Sequence, residues 1–352
     1  MKKLIAISVM LALVAGAAFA QTSVSGVLEL QWGGIIKSMN NGDDVGMGGI
    51  SIGDSNIQLS SSNDDGTFSA LLRYRGANFP GPVSGNSVPA DGWNELHNRA
   101  FIIWRPIDQL ELFFGKDGDG KFNTAGLSRW GHHRGTRGVG VENWDAQNYL
   151  LGNWDAWGFA ASIKPVDMFA LHVALDLPGA ELFEDRFDRI QVQAALNLDF
   201  GKIDITYQGE KMGDRIGLTF SSGTLVEGLQ FEVGGNYGLT SEVIRFGLGV
   251  HYNGGDWGVR ARVFGGDFDN LLIKADIMPF YAFDFGTAFL NIRIVSRDGA
   301  DLGWHVNPYL VLNAGPAQLR VGALIQHGDG DGGASSATKT SWSIPIGMVY
   351  SF

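Results

Sequence analysis

Apolar and polar residues alternate along most of this chain with a period of two. Residues 342–352 show the pattern best, because every second side chain is apolar and the intervening positions are mostly small or polar. The same rhythm occurs in residues 190–200, 244–252 and 257–263. Alternation of this kind is typical of β-strands that have one face in an apolar medium and the other in water. The pattern therefore predicts an all-β chain.

Applied to the whole chain, the alternation predicts about 18 strands, and about 16 if the short link 210–213 does not separate two of them. The predicted strands lie near residues 22–32, 51–61, 67–75, 97–105, 108–116, 156–164, 166–175, 188–200, 201–209, 214–221, 228–237, 242–252, 256–264, 270–281, 284–295, 303–311, 317–326 and 341–352. An even number of strands that alternate in polarity predicts a closed antiparallel transmembrane β-barrel.

The links between the predicted strands support this fold, because short and long links alternate. The short links are 63–66, 106–108, 164–165, 200–201, 253–256 and 313–316, and the long ones include 33–50, 76–96, 117–155, 176–187 and 327–340. Outer-membrane barrels have short periplasmic turns and longer outer loops. The short links are therefore expected to face the periplasm.

The amino-terminal segment predicts export from the cytoplasm. Lys2 and Lys3 precede an apolar run over residues 4–15, which ends at the small-residue motif Ala18-Phe19-Ala20. This order is typical of a cleaved signal peptide. A membrane anchor is the alternative, but the apolar run is shorter than the roughly 20 residues that span a bilayer. We expect a signal peptide at residues 1–20 and a barrel at residues 21–352.

The composition narrows the class of protein further. The chain has no cysteine and a formal net charge of -11, which argues against a nucleic-acid partner because phosphate binding needs a basic surface. Beyond the signal segment, no apolar run approaches the roughly 18 residues of a membrane helix. A soluble β-sandwich or propeller remains as the alternative. It would place aromatic residues in the middle of strands, whereas a membrane barrel concentrates them at the strand ends.

No sequence motif indicates an enzyme. A Gly-x-Ser-x-Gly motif or other recognisable catalytic constellation does not occur, so we expect no catalytic residue and no cofactor. The acidic glycine runs 117–120 and 329–332 lack the ligand spacing of an EF-hand and are interpreted as turns. The pair His132-His133 lacks the spacing of a helical zinc site. No metal site is predicted.

The signal peptide, the cysteine-free alternating strands and the terminal strand Ile344-Pro345-Ile346-Gly347-Met348-Val349-Tyr350-Ser351-Phe352 together resemble a Gram-negative-type outer-membrane porin. The barrel-assembly machinery recognises a terminal aromatic residue in that superfamily, so the resemblance implies that it recognises Phe352 here. The stretch from Trp104 to Gly120 and the signal sequence are also similar to treponemal outer-membrane and major surface proteins. The porin pattern covers the whole chain but does not specify a solute.

Strand parity places a set of charged side chains on the predicted lumenal face. The pore-lining candidates are Arg73, Arg75, Arg99, Arg105, Arg245, Arg260, Arg262, Arg293, Arg320, Glu29 and Glu111. Two interpretations stay open. The arginines either bias the passage of ions, as fixed charges in a channel do, or they pair with lumenal acids, Asp204 among them, and brace the barrel.

The link 117–155 is the longest and the third of the predicted outer loops. Its candidate constriction residues are Asp117, Asp119, Lys121, Arg129, His132, His133, Arg134, Arg137, Glu142 and Asp145. The resemblance to porins implies that this loop folds into the channel, which would place the basic run 129–137 near the narrowest point and favour anions. The alternative is a surface loop that faces the medium.

These observations predict an outer-membrane porin for passive diffusion of small hydrophilic solutes and ions, with its loops at the cell surface. The alternative function is a surface adhesin or antigen, in which the barrel is an anchor and loops 33–50, 76–96 and 117–155 bind host proteins. The expected partners are outer-membrane lipid, the solutes and the barrel-assembly machinery. The choice between a monomer and a homotrimer stays open.

Overall fold

The structure is a computed structural model, and it describes eleven stretches of the chain. These stretches are residues 20–37, 45–47, 50–52, 55–75, 97–117, 157–176, 188–212, 214–223, 226–266, 271–328 and 340–352. The predicted signal peptide lies almost wholly outside the described residues and stays a prediction.

The described residues form a closed antiparallel barrel of 18 strands. In chain order they are β1 (Ala20–Lys37), β2 (Val45–Met47, Ile50–Ile52 and Asn56–Asn63), β3 (Phe68–Arg75), β4 (His97–Ile107), β5 (Leu110–Asp117), β6 (Trp157–Val166), β7 (Phe169–Asp176), β8 (Ile190–Leu198) and β9 (Gly201–Gln208). They continue as β10 (Arg215–Ser222), β11 (Leu229–Gly238), β12 (Ile244–Asn253), β13 (Trp257–Gly266), β14 (Leu272–Phe283), β15 (Gly286–Arg297), β16 (Gly303–Ala314), β17 (Ala317–Gly322 and Leu324–His327) and β18 (Thr340–Ser351).

The barrel closes between its first and last strands. β1 pairs antiparallel with β18, in a register that places Leu28 opposite Tyr350. At the end of this seam, the amide of Gly26 donates to the carbonyl of Phe352 at 2.9 Å, and the amide of Phe352 donates to the carbonyl of Gly26 at 3.1 Å. A closed sheet leaves no strand edge with unpaired backbone groups, which a membrane would not tolerate.

The predicted number of about 18 strands is confirmed, and the alternative of about 16 is wrong. A single 3-10 turn at Glu210–Met212 joins β9 to β10, so the hairpin at link 210–213 is present. Two predicted strands are interrupted. The strand predicted at 51–61 corresponds to two described segments, Ile50–Ile52 and Asn56–Asn63, and a further segment of β2, Val45–Met47, lies in the predicted link 33–50. β17 breaks at Ala323, whose amide donates to the carbonyl of Pro308. The β17 break leaves the alternation in phase, so the sequence pattern does not reveal it.

The outer face of the barrel is apolar and exposed. Mid-strand side chains on this face are about half exposed, as in Leu218, Val233, Leu248 and Ile277. Val233 and Leu248 are direct neighbours across β11 and β12. Such a continuous apolar belt has no counterpart on a water-soluble surface and requires contact with lipid.

Aromatic side chains gather at the strand ends that meet the short turns, as expected for a membrane interface. Phe68 stacks on Trp104 with ring centroids 5.9 Å apart, and Tyr252 contacts Trp257 at 5.1 Å. Within the described residues, no helix is long enough and apolar enough to span a membrane.

Candidate functional site

The inner wall of the barrel is the candidate site, because the polar and charged side chains of the strands collect there. Cα partners in neighbouring antiparallel strands point to the same face of a sheet. One such row runs across β11 to β17, and most of its members are charged. In order, the row contains Glu232, Gly249, Arg262, Asp276, Arg293, His305 and Gln326.

Asp276 lies at the centre of this row, between two arginines. Its Oδ2 atom is 3.8 Å from Nη2 of Arg262 and 3.5 Å from Nη2 of Arg293. The three residues are only 5%, 3% and 1% exposed, respectively. Burial of charged groups is costly unless they are paired. This triplet therefore braces the wall, which is the pairing interpretation of the predicted lumenal arginines.

Two further predicted arginines also pair with predicted acids. Nη1 of Arg320 in β17 lies 3.5 Å from Oε1 of Glu29 in β1. Near a short turn, Nη2 of Arg105 lies 2.8 Å from Oε2 of Glu111, and Nη1 of Arg105 donates to the carbonyl of Gly66 at 3.2 Å. Arg320 and Glu29 are buried, whereas Arg105 is partly exposed.

Arg260 in β13 differs from these arginines. No carboxylate is in ion-pair contact with it in the described part of the chain. Its guanidinium carbon lies 5.1 Å from the ring centroid of Phe280, a cation-π contact. Its Nε and Nη1 atoms are buried without a hydrogen-bond partner among the described residues.

Other predicted site residues are placed only in part. Arg73 pairs in register with Gln58, and Arg245 pairs with Asn236 and Gly266, on the inward-facing parity. The structure describes the backbone but not the side chains of the predicted residues Arg75, Arg99 and Asp117. The constriction candidates Asp119, Lys121, Arg129, His132, His133, Arg134, Arg137, Glu142 and Asp145 lie outside the described residues.

Neutral polar residues on the same wall were missed by the sequence analysis, which considered only charges. Nε2 of Gln193 donates to Oδ1 of Asp204 at 2.7 Å, and Nε2 of Gln208 donates to Oε1 of Gln191 at 3.0 Å. Nζ of Lys202 lies 2.8 Å from Oδ1 of Asp204. The same strand parity that selected the arginines would have identified all of these residues.

Apolar residues on the inner wall were also missed, because parity assigns them to the face expected to be polar. Phe113 is fully buried and packs with Ile103, Ala160 and Ala174 on the inner face of β4 to β7. A second cluster on β14 to β16 contains Met278, Phe289, Tyr309 and Val311. The inner wall is therefore a mixture of charged, neutral polar and apolar regions.

The barrel is similar to outer-membrane porins of known structure. An anion-selective porin from Comamonas acidovorans matches with a TM-score of 0.51 and 12% identity, over 95% of this chain and 100% of that chain. The outer membrane protein OpdK from Pseudomonas aeruginosa, in its structure with vanillate, matches with a TM-score of 0.58 and 10% identity, over 94% and 98% of the two chains. The chain has the fold of an outer-membrane porin.

The porin fold is the extent of this likeness, since identities so low carry no information about the solute. No family model and no curated protein matches the sequence. The similarity to treponemal surface proteins therefore stays a prediction. The adhesin alternative depends on loops that lie largely outside the described residues of this porin fold, and it also stays a prediction.

Proposed function

We propose that the chain forms a water-filled pore through which small hydrophilic solutes and ions cross an outer membrane by passive diffusion. The observation that carries this proposal is a closed barrel of 18 strands with an apolar exposed outer face and a charged inner wall. Barrels of about 16 to 18 strands are wide enough to leave an aqueous channel. Diffusion through such a channel needs no catalytic residue and no cofactor.

The charges of the inner wall support a preference for anions. Arg245, Arg260, Arg262, Arg293 and Arg320 lie along the inner faces of β12, β13, β15 and β17. The inward-facing acids of the neighbouring wall include Glu232, Asp276 and Glu29. An excess of fixed positive charge raises the local concentration of anions in a low-dielectric channel. The Comamonas porin with the same fold is itself described as anion-selective.

Single-channel recording in planar bilayers tests this proposal. Stepwise openings with a linear current-voltage relation are expected for the purified protein in KCl. Under a KCl gradient, the sign of the reversal potential should indicate that chloride is more permeant than potassium. A folded barrel without openings would overturn the pore function and favour the adhesin alternative, whereas openings with cation preference would overturn only the anion selectivity.

We further propose that the third outer loop, residues 117–155, folds into the barrel and narrows the pore. The apolar cluster around Phe113, which contains Ile103, Ala160 and Ala174, supports this proposal because it lies on the inner wall of β4 to β7. An apolar patch is unfavourable in an aqueous lumen unless a segment of the chain covers it. The loop follows directly after β5, which carries Phe113.

Charge reversal in the loop tests its position. If the basic run 129–137 lies at the narrowest point, the double substitution Arg134→Glu and Arg137→Glu should lower the chloride preference and reduce the conductance in dilute KCl. If the loop faces the medium, the reversal potential of the double variant should equal that of the unmodified protein.

A further inference from the structure

Arg260 is the inward-facing arginine whose surroundings suggest a ligand. In register, it lies between His251 of β12 and Met278 of β14. Its guanidinium rests over the ring of Phe280. Its Nε and Nη1 atoms are buried without hydrogen-bond partners in the described part of the chain, a feature that it shares with Arg262. Burial of donors without partners is unfavourable. A bound anion would relieve part of this cost, because its charge would interact favourably with the guanidinium.

Three other arginines of this part of the wall have carboxylate partners. Arg262 and Arg293 share Asp276, and Arg320 pairs with Glu29. Their charge is offset inside the protein, and all three are buried. Arg260 is partly exposed and has no carboxylate in ion-pair contact within the described residues. A solute that carries a negative charge therefore meets an uncompensated guanidinium at this position.

An aromatic row leads away from Arg260 along the inner wall. Phe280, Phe289 and Tyr309 are direct partners across β14, β15 and β16. Phe289 stacks on Tyr309 with centroids 4.7 Å apart, and Phe280 lies 6.0 Å from Phe289. Phe289 and Tyr309 are buried, whereas Phe280 at the end of the row is partly exposed beside the ring of His251.

This juxtaposition distinguishes one class of solute from another. A chloride ion interacts with the guanidinium alone and gains nothing from the neighbouring rings. A carboxylate on a flat apolar body can place its charge at the planar, donor-rich guanidinium. It can also remove apolar surface from water against Phe280 and the edge of the row.

We propose that Arg260 and Phe280 form a binding station for small aromatic carboxylates inside the pore. Arg260 binds the carboxylate, and Phe280, with His251 and Met278 beside it, contacts the ring of the solute. This inference rests on the proposed pore function and adds a solute class to it.

The binding station is tested by comparing how strongly two carboxylates, one with an aromatic ring and one with a methyl group, block the chloride current. Chloride conductance is recorded in planar bilayers while benzoate or acetate is added in rising concentration. Benzoate is expected to reduce the chloride current with saturation, at a half-effective concentration at least tenfold below that of acetate. The two anions have the same charged group, so this ratio measures recognition of the apolar body.

Substitutions assign the two contributions to residues. Arg260→Gln should raise the half-effective concentration of benzoate at least tenfold, and Arg260→Lys should raise it by less, because the charge stays while the planar fork is lost. Phe280→Leu should leave the half-effective concentration of acetate unchanged. The half-effective concentration of benzoate should then lie within threefold of that of acetate. The control Lys164→Gln removes a positive charge from an exposed position near the end of β6, outside the station, and should leave the ratio unchanged.

A glycine provides an independent variant if removal of Arg260 impairs folding. A Cβ atom at Gly258 would lie 2.4 Å from Cζ of Phe280 and 2.5 Å from the carbonyl oxygen of Tyr252, so Gly258→Ala displaces the ring and the paired backbone of β12 while it keeps the guanidinium of Arg260. This variant should also reduce the preference for benzoate. If the protein conducts chloride but benzoate and acetate block it at equal concentrations, the proposed binding station is wrong and the pore function is unaffected. Absence of chloride openings would overturn the pore and the station together.

Discussion

At the residue scale, the charges of the inner wall have two different roles. Arg262, Asp276 and Arg293 are buried and paired, so their contribution is to stability. Arg260 is partly exposed and lies over an aromatic ring, and we propose that its contribution is to the solute path. Residue type and strand parity are the same for these arginines, and only the position of the carboxylates distinguishes them.

Removal of the shared carboxylate should destabilise the barrel. Asp276→Ala leaves two buried guanidinium groups without this partner and should lower the free energy of unfolding by about 3 to 5 kcal/mol. Urea unfolding in lipid vesicles, followed by tryptophan fluorescence, measures this change. The control Asp284→Ala alters an exposed turn residue and should change stability by less than about 0.5 kcal/mol. Equal stability of both variants would contradict the bracing role of Asp276.

A backbone position in β5 requires glycine for two reasons. Gly115 has a φ angle of 130°, and a Cβ atom there would lie 2.1 Å from the carbonyl oxygen of Ala100 in β4. Gly66 also has a positive φ, 72°, but a Cβ atom there would meet no atom within 4 Å. The first position therefore combines conformational strain with a steric clash, and the second has the strain alone.

Alanine substitutions separate these two effects. Gly66→Ala should lower the free energy of unfolding by about 1 kcal/mol, through backbone conformation alone. Gly115→Ala should lower it further, because β4 and β5 must move apart to admit the methyl group. Urea unfolding of the two variants under one set of conditions provides the comparison. A smaller loss for Gly115→Ala than for Gly66→Ala would contradict the clash.

At the element scale, each strand presents one face to lipid and the other to the lumen. Leu248 lies at mid-strand in β12, on the lipid face, and Ile244 is the first residue of the same strand and on the same face. The cost of a charge on the lipid face depends on depth in the bilayer. The two positions therefore differ in depth but not in face.

Lysine at these two positions tests the membrane placement of β12. Leu248→Lys should lower the free energy of unfolding in lipid bilayers by about 2 to 4 kcal/mol, and Ile244→Lys by about 0 to 1 kcal/mol. The measurement is urea titration of the vesicle-inserted variants. Equal costs at both positions would show that Leu248 is not near the centre of the bilayer.

The turn between β2 and β3 is held by side chains. The hydroxyl of Thr67 donates to Oδ1 of Asp65, and the amide of Thr67 donates to the same atom at 2.9 Å. The hydroxyl bond, followed by the amide bond, lowers the pKa of Asp65 below its ordinary value, although the carboxylate is exposed. A lowered pKa in the folded state means that this turn adds stability above the ordinary pKa of aspartate and loses it as the pH falls through the lowered value.

Thr67→Val removes the hydroxyl bond and keeps the shape of the side chain. The pKa of Asp65 should rise towards its ordinary value in this variant, by less than the full shift because the amide of residue 67 still donates. A pH titration of the Asp65 carboxyl carbon by NMR in detergent micelles measures the change. Thr287→Val in β15 is the control and should leave the titration unchanged, and an unchanged titration in Thr67→Val would contradict the assignment.

At the scale of the whole molecule, the two ends of the barrel differ in the length of their connections. Turns at one end are short, such as the link from β12 to β13 through Asp256. Most of the links at the other end are longer, and they include residues 118–156 between β5 and β6. In outer-membrane barrels the longer loops face outwards. The orientation of this barrel follows as a prediction.

Single cysteines test the orientation, because the chain has none of its own. In intact cells, a maleimide that does not cross membranes should label Ser335→Cys in the long link between β17 and β18. It should not label Asp256→Cys in the short turn until the cells are lysed. The reverse pattern of labelling would invert the proposed orientation.

The sequence by itself determined the class of fold. Alternation in segments such as residues 342–352, the regular exchange of short and long links and the lack of long apolar runs are local properties, and each strand displays its two environments in its own residues. The outward apolar face, a closed antiparallel barrel of 16 to 18 strands and the common strand parity of Arg245, Arg260, Arg262, Arg293 and Arg320 therefore followed from the chain alone, whereas the count of 18 came from the structure.

Only the tertiary structure decided which lumenal charges are paired. Asp276 bridges Arg262 and Arg293, and Glu29 meets Arg320 across the closing seam from the other end of the chain. These contacts depend on the register of neighbouring strands, and a shift of two residues preserves every face while it changes every partner. The contact of Arg260 with Phe280 is of the same kind. The alternation within a strand determines which face each side chain is on. The partners of that side chain depend on the pairing of strands that are distant in the sequence, so they cannot be predicted from one strand.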